Sequence, residues 1–156
     1  MTQKPLYEQQ YQNWLDSTII DEASKAELRA ISGNKAEVED RFYQDLEFGT
    51  AGLRGKIGAG TNRMNEYIIA RATDAFAKVI KSFGDEFAAK GVAIAYDCRL
   101  FSKEFSLTAA LVLASHGIKS YVFDALRPTP ELSFAIRRLG AAGGINVTAS
   151  HNPKNY

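Results

Sequence analysis

Residues 92–97, VAIAYD, and the run behind them, CRLFSKEFSLTAALVLASHG (98–117), decide the fold class. A short and almost wholly apolar segment suits a strand covered on both faces. The residues after it read as a helix: Ser102 stands as its cap, KEFSLTAALVLASH (103–116) continues without glycine or proline, and Gly117 ends it. Two further strands follow. IKSYVFD (118–124) is the second, after which Thr129 as cap and Pro130 in the first turn begin the helix ELSFAIRRL (131–139), closed by Gly140. GINVTA (144–149) is the third. Strands that alternate with helices at this spacing predict an α/β fold: a mixed, largely parallel sheet flanked by helices. Crossovers of this kind are right-handed in nearly all cases, so the three strands point the same way and their carboxyl ends share one edge. Asp97, the Arg127-Pro128-Thr129 turn and Ser150 fall on that edge, where open sheets of this class bind ligands.

Upstream, Ile68, Ile69, Ala72, Ala75, Phe76, Val79, Ile80 and Phe83 recur at intervals of three and four, predicting a long helix from about residue 65 with one broad apolar face. Before it lies FGTAGLRGKIGAGTNRMN (48–65), a glycine-rich loop with one short strand. The residues before that read as a helical amino-terminal extension, 1–46. Trp14, Leu15, Leu28, Ile31, Val38, Phe42 and Leu46 supply its apolar positions, and Gly33 caps one of its segments.

The whole chain sets the outer bounds. With 156 residues, 46% of them hydrophobic and 24% charged, it has the composition of an ordinary globular protein. A domain of that length buries roughly 68–70% of its unfolded surface. Nineteen basic residues against eighteen acidic ones leave a net charge of +1, and no run of either sign forms the basic stripe of a nucleic-acid binder. Cys98 is the single cysteine and has no internal disulfide partner, nor does it stand at metal-ligand spacing; it reads as a small packed side chain. No stretch approaches the roughly 18 apolar residues that span a bilayer, and the amino terminus lacks the apolar core of a signal peptide. These features point to a soluble protein of a reducing compartment, most simply the cytoplasm.

Chemistry gathers at the end of the third strand. Ser150, His151, Asn152 and Lys154 place a hydroxyl, an imidazole, a carboxamide and an ammonium within five positions, behind what reads as a central strand. Ordinary turn chemistry accounts for an isolated Ser-His-Asn-Pro. A hydroxyl among those donors is also suited to holding a phosphoryl group, which would bring about two negative charges and three acceptor oxygens. GTAGLRG (49–55) is a second anion candidate, because its glycines let backbone N–H groups approach and Arg54 offers a planar, permanently charged fork. It also reads as a plain connector. Nucleotide fingerprints fail there: a Walker motif needs Gly and Ser or Thr where Thr50 and Ile57 stand, and Arg63 occupies the last glycine position of a dinucleotide motif. Asp97 and Arg99 read equally as a pair that braces neighbouring loops. His116 reads as a helix C-terminal cation, and Phe76, Phe83, Phe87 and Phe105 as core.

Four ordered motifs together resemble the alpha-D-phosphohexomutase superfamily: FGTAGLRG (48–55), YDCRLFS (96–102), the run from RPTP (127–130) onward, and TASHNPKNY (148–156). Trp14 in a helical extension, Ala51 and GTNRMN (60–65) are most similar to its phosphoglucomutase branch. The resemblance covers essentially the whole chain and implies a phosphosugar mutase of carbohydrate metabolism, an isomerase acting by intramolecular phosphoryl transfer. It implies Ser150 as the phosphoryl carrier, with one phosphate oxygen as a ligand of Mg2+, and His151 as the group that positions the phosphate or moves a proton. It further implies Asn152 fixing the loop, Arg54 and Thr50 contacting phosphate, and glucose 1,6-bisphosphate as intermediate and activator.

Members of the superfamily have four domains. The remaining magnesium ligands, the sugar-selecting loop and the distal phosphate site belong to domains II–IV, which this sequence does not contain. By that resemblance residues 47–156 are expected to correspond to domain I, incomplete at its C-terminus, and the chain alone is expected to be inactive. Substrate is an expectation too: interconversion of glucose 1-phosphate and glucose 6-phosphate leads, with a phosphomannomutase or phosphopentomutase-type relative, or a non-catalytic phosphate-binding module, as alternatives.

Overall fold

A computed structural model describes residues 5–50, 52–153 and 156, so Ala51 and Lys154 of the motifs above lie outside the described residues. The described chain has two compact units, one built on residues up to Ile68 and one running from Ile69.

The first unit begins with three helices, α1 (Leu6–Asp16), α2 (Glu22–Ala30) and α3 (Lys35–Phe42). Asp21 caps α2 by accepting from the Ser24 N–H, and Asn34 caps α3 by accepting from Glu37 N–H. Gly33 is not a cap: α2 closes at Ile31, and Gly33 sits in the turn beyond it. The three helices bury Leu28, Val38 and Phe42 together with Ala59, and Tyr11 and Trp14 meet Phe42 edge-on at 5.8 and 5.7 Å. Each large side chain so covered contributes about 1.5–3 kcal/mol. The glycine-rich stretch holds two short strands rather than one, β1 (Phe48–Gly49) and β2 (Gly52–Leu53), paired antiparallel. Strands of two residues carry no readable period, which is why the sequence does not show the pair. Residues 58–63 are stitched to α2 and α3 by two guanidinium groups. Arg41 donates to Glu27, Glu37 and the Ala59 carbonyl, while the buried Arg63 donates to the carboxylate and carbonyl of Asp40.

Helix α4 (Glu66–Ser82) leads into the second unit, followed by α5 (Asp85–Ala88), β3 (Val92–Tyr96), α6 (Ser102–Ser115), β4 (Ser120–Val122), α7 (Thr129–Leu139) and β5 (Gly143–Val147). The sheet has the order β4-β3-β5, parallel throughout, with Tyr96 opposite Val147 at its carboxyl edge. All five residues of β3 are buried. Val92 and Ile94 face a cluster with Ala77 and Ile80 of α4 and Ala109 and Leu113 of α6, whereas Ala93 and Ala95 face Leu132 of α7. That two-sided cover is the physical reason the strand reads as an unbroken apolar run. Gly144 of β5 lies so close to α7 that a Cβ there would stand 2.6 Å from Ile136 Cδ1.

Several expectations are corrected by these packing relations. β5 is an edge strand and β3 the central one. Ile68 and Ile80 of α4 are buried, but Val79 is exposed and Phe83 lies just past the end of the helix, also exposed, so the apolar face is narrower and shorter than its sequence pattern. Phe83 meets Phe87 at 5.3 Å near the surface, while Phe105 is buried as expected. Among the described residues no helix is long and apolar enough to cross a membrane.

Candidate functional site

The parallel register sets the geometry of the carboxyl edge. With Tyr96 opposite Val147, the residues next in line, Asp97 and Thr148, emerge side by side, and the Asp97 N–H extends the ladder to the Val147 carbonyl at 3.2 Å. Asp97 is the centre of the arrangement. Its Oδ1 accepts from the Ser102 hydroxyl at 2.7 Å and from the Arg99 N–H at 2.9 Å, and its Oδ2 accepts from the Thr148 hydroxyl at 2.6 Å. Partial burial pushes its carboxyl up, but the hydrogen bonds from Thr148, Ser102 and the N–H groups of Arg99 and Ala149 outweigh that and hold it below the usual carboxylate range. Asp97 is therefore charged at neutral pH.

Ser150 lies two residues beyond Thr148 and adopts φ 49°, in the left-handed region that side chains other than glycine rarely occupy. Its N–H donates to Thr148 Oγ1 at 2.9 Å. Its hydroxyl is exposed and lies 3.3 Å from His151 Nδ1, and the Asn152 N–H closes the turn onto the Ala149 carbonyl at 2.9 Å. Arg99 reaches across to the same loop. Its Nη1 donates to the Ser150 carbonyl at 3.3 Å, and its Nη2 to the carbonyls of Asn152 and Pro153, both at 2.8 Å. An exposed hydroxyl beside an imidazole, on a backbone fixed from both ends, is the arrangement a nucleophile or group carrier requires.

The expected site residues fall into two sets. Ser150, His151 and Asn152 are brought together on one loop of the second unit. Thr50, in the connection between β1 and β2, and Arg54, just after β2, belong to the first unit, and both are exposed. Ser102 does not cap α6. The N-cap position is Phe101 at φ 63°, and the Ser102 hydroxyl is turned to Asp97 instead. Thr129 is likewise inside α7, whose N-cap is Pro128, and its hydroxyl accepts from Asn146 Nδ2 of β5 at 2.7 Å. Cys98 is exposed rather than packed. His116 occupies the C-cap of α6, with its Nε2 2.8 Å from Asp74 of α4, a partner that sequence spacing does not reveal. Arg127 pairs with Asp124 and Glu131 within its own turn.

Thr148 is the residue joined by hydrogen bonds to both Asp97 and Ser150 that the sequence alone does not single out. Its signal was present, since a threonine two residues before a serine can accept the serine N–H and fix a turn. Among the described residues no three His, Cys, Asp or Glu side chains gather to hold a metal ion.

The sequence signature described as Phosphoglucomutase/phosphomannomutase, alpha/beta/alpha domain I, matches residues 45–156. Among curated proteins, a phosphoglucomutase of Staphylococcus epidermidis is 41% identical over 144 residues, covering 92% of this chain and 25% of the relative. One of Staphylococcus haemolyticus is 44% identical over 118 residues, 76% of this chain and 21% of its own length. One of Staphylococcus aureus is 39% identical over 139 residues, 88% of this chain and 25% of its own length. No solved structure matches the chain. The chain thus spans about a quarter of the length of the curated relatives it matches. A signature over most of the sequence, on an α/β unit whose strand ends carry the serine loop, shows that the chain belongs to the phosphoglucomutase/phosphomannomutase family through its domain I.

Proposed function

We propose that this chain is the phosphoryl-carrying domain of a phosphoglucomutase, with residues 1–46 as a helical extension and 47–156 as domain I. The observation that carries the reading is the exposed Ser150 hydroxyl, held at φ 49° beside His151 on a loop in a chain 41% identical to a phosphoglucomutase. In this reading Ser150 is phosphorylated at rest. The phosphorus–Oγ bond breaks as a bond forms from phosphorus to a free hydroxyl of glucose 1-phosphate or glucose 6-phosphate, and the hydroxyl proton passes by way of His151 to the departing Ser150 Oγ, 3.3 Å from its Nδ1; the return transfer reverses that proton movement. The resulting glucose 1,6-bisphosphate returns its other phosphoryl group to Ser150 Oγ, which restores the carrier. Such transfer depends on in-line placement and charge neutralisation more than on covalent chemistry.

Asn152 fixes the loop, and Thr50 and Arg54 contact phosphate. Mg2+, when bound, neutralises charge on the transferring phosphate. This chain's donor set fits it only in part, through a phosphate oxygen on Ser150, because the described residues assemble no acidic cluster to complete the shell. The active protein is accordingly proposed to have the length of its relatives, to work in the cytoplasm, and to use the other domains for the remaining ligands and the choice of sugar.

The test is a coupled assay of glucose 6-phosphate formation from glucose 1-phosphate with glucose 1,6-bisphosphate and magnesium present. At the relatives' length the protein is expected to turn over, and Ser150→Ala to lower the rate by a factor of about 10^3 or more. The 156-residue chain alone is expected to give no turnover. Activity that survives Ser150→Ala, or turnover of mannose 1-phosphate in place of the glucose ester, would overturn the assignment.

A further inference from the structure

The backbone of Ser150 is gripped from both sides by groups that the carrier role does not itself require. On its amino side, the N–H donates to Thr148 Oγ1, and the Thr148 hydroxyl donates in turn to Asp97 Oδ2. The direction of that chain is fixed. An ionised carboxylate only accepts, so the single Thr148 proton points to Asp97 and an oxygen lone pair is left for the Ser150 N–H. On its carbonyl side, the Arg99 guanidinium holds three carbonyls of the loop, those of Ser150, Asn152 and Pro153. Asp97 is itself anchored by the Ser102 hydroxyl and the Arg99 N–H, both on its other oxygen. Asp97 and Arg99 are two residues apart beyond β3, while the serine loop follows β5, so the latch joins the ends of two adjacent parallel strands.

We propose that Asp97, acting through Thr148 and together with Arg99, is the positioning element that holds Ser150 in its left-handed conformation and aims its hydroxyl out of the loop. The proposal rests on the carrier reading of Ser150. It assigns Arg99 to the loop backbone rather than to the phosphate, and it gives Thr148 a role beyond that of a turn residue. A left-handed residue with a side chain persists only where its surroundings over-determine it. Two hydrogen bonds to charged groups, one of them relayed through a hydroxyl, do so here.

Isosteric substitutions test the latch in the full 156-residue chain. In Asp97→Asn the charge is lost, and the amide that keeps its oxygen toward Ser102 and the Arg99 N–H turns an NH2 to Thr148, so the Thr148 hydroxyl no longer donates to a carboxylate and must share its lone pairs between that NH2 and the Ser150 N–H. Thr148→Val removes the relay and keeps the shape; Thr148→Ser keeps the hydroxyl. Amide hydrogen exchange and the 13Cα and 13Cβ shifts of Ser150, measured by NMR, give the signature. Asp97→Asn and Thr148→Val are expected to speed exchange of the Ser150 amide by about tenfold or more and to move its carbon shifts away from the left-handed values, while Thr148→Ser leaves both close to wild type. Resonances of β3 and α6 that stay in place show that the unit has kept its fold. Unchanged Ser150 exchange and shifts in both Asp97→Asn and Thr148→Val would overturn the latch. The carrier reading fails on a different result, a protein of the relatives' length that never gains about 80 Da on Ser150 (the mass of one phosphoryl group) in the presence of glucose 1,6-bisphosphate.

Discussion

At the scale of single residues, the informative feature is a conformational cost kept at the point of chemistry. Ser150 at φ 49° places a Cβ where glycine would carry none, a penalty of roughly 1–2 kcal/mol, and no described contact at this position needs a side chain for packing, since the hydroxyl is exposed. Ser150→Gly relieves the strain, while Ser150→Ala retains it. Glycine also gives the unfolded chain more freedom, which returns about 0.5–1 kcal/mol of the gain. Ser150→Ala is therefore expected to be less stable than Ser150→Gly by about 1 kcal/mol, read from paired urea titrations. The opposite order would mean that the loop relaxes out of the left-handed region once the hydroxyl is gone.

At the scale of elements, helix α2 shows how much a cap residue carries. Asp21 accepts from the Ser24 N–H at 2.9 Å, from the Ser24 hydroxyl at 2.6 Å and from the Tyr67 hydroxyl at 2.8 Å. Hydrogen bonds from Ser24, first its hydroxyl and then its N–H, with Tyr67 adding to them, lower the Asp21 carboxyl to about 2. A depressed folded value makes the contribution complete above the unfolded value near 3.8 and loses it as pH falls from about 4 toward 2. Because Asp21 is exposed, solvent screening leaves only a fraction of the full linkage. Asn caps helices about as well as Asp but does not titrate. Asp21→Asn is thus expected to match wild-type stability at pH 2 more closely than at pH 6, checked by denaturant titrations at the two values. A stability difference that does not change with pH would remove the titrating cap from the account.

The same scale shows what was legible. β3 could be read because both of its faces are covered, and Gly140 because a left-handed C-cap, φ 63° here, selects glycine. The N-caps of α6 and α7 were each misplaced by one residue, since Ser102 and Thr129 are cap-type residues whose hydroxyls are held by Asp97 and Asn146 from other elements. Sequence preference reports local partners, and these partners lie 5 and 17 residues away. The serine loop was visible as a motif, whereas the grip of Arg99 on it spans 51 to 54 residues and depends on the parallel register of β3 and β5.

At the scale of the whole molecule, surface composition becomes the deciding quantity. The second unit leaves Leu107 and Leu111 of α6 exposed at 47% and 72%, one turn apart on the same face, and Phe134 of α7 exposed at 62%. Single exposed apolar residues are common, but neighbours at i and i+4 make a continuous strip. A net charge of +1 supplies almost no long-range repulsion to keep two such strips apart. The chain is therefore expected to associate weakly at about 100 µM near pH 7, and more strongly as salt rises, because burial rather than ion pairing drives the contact. The double substitution Leu107→Lys and Leu111→Lys removes the strip and adds two positive charges, which should return the chain to a monomer in sedimentation velocity. Replacing exposed leucines leaves Ala109 and Leu113 on the buried face of α6 intact, so the melting temperature should shift by no more than a few degrees. A wild-type chain that sediments as a monomer at every salt concentration would show that this strip is too small to matter. Association that survives the double substitution would move the contact to Phe134 or another exposed side chain.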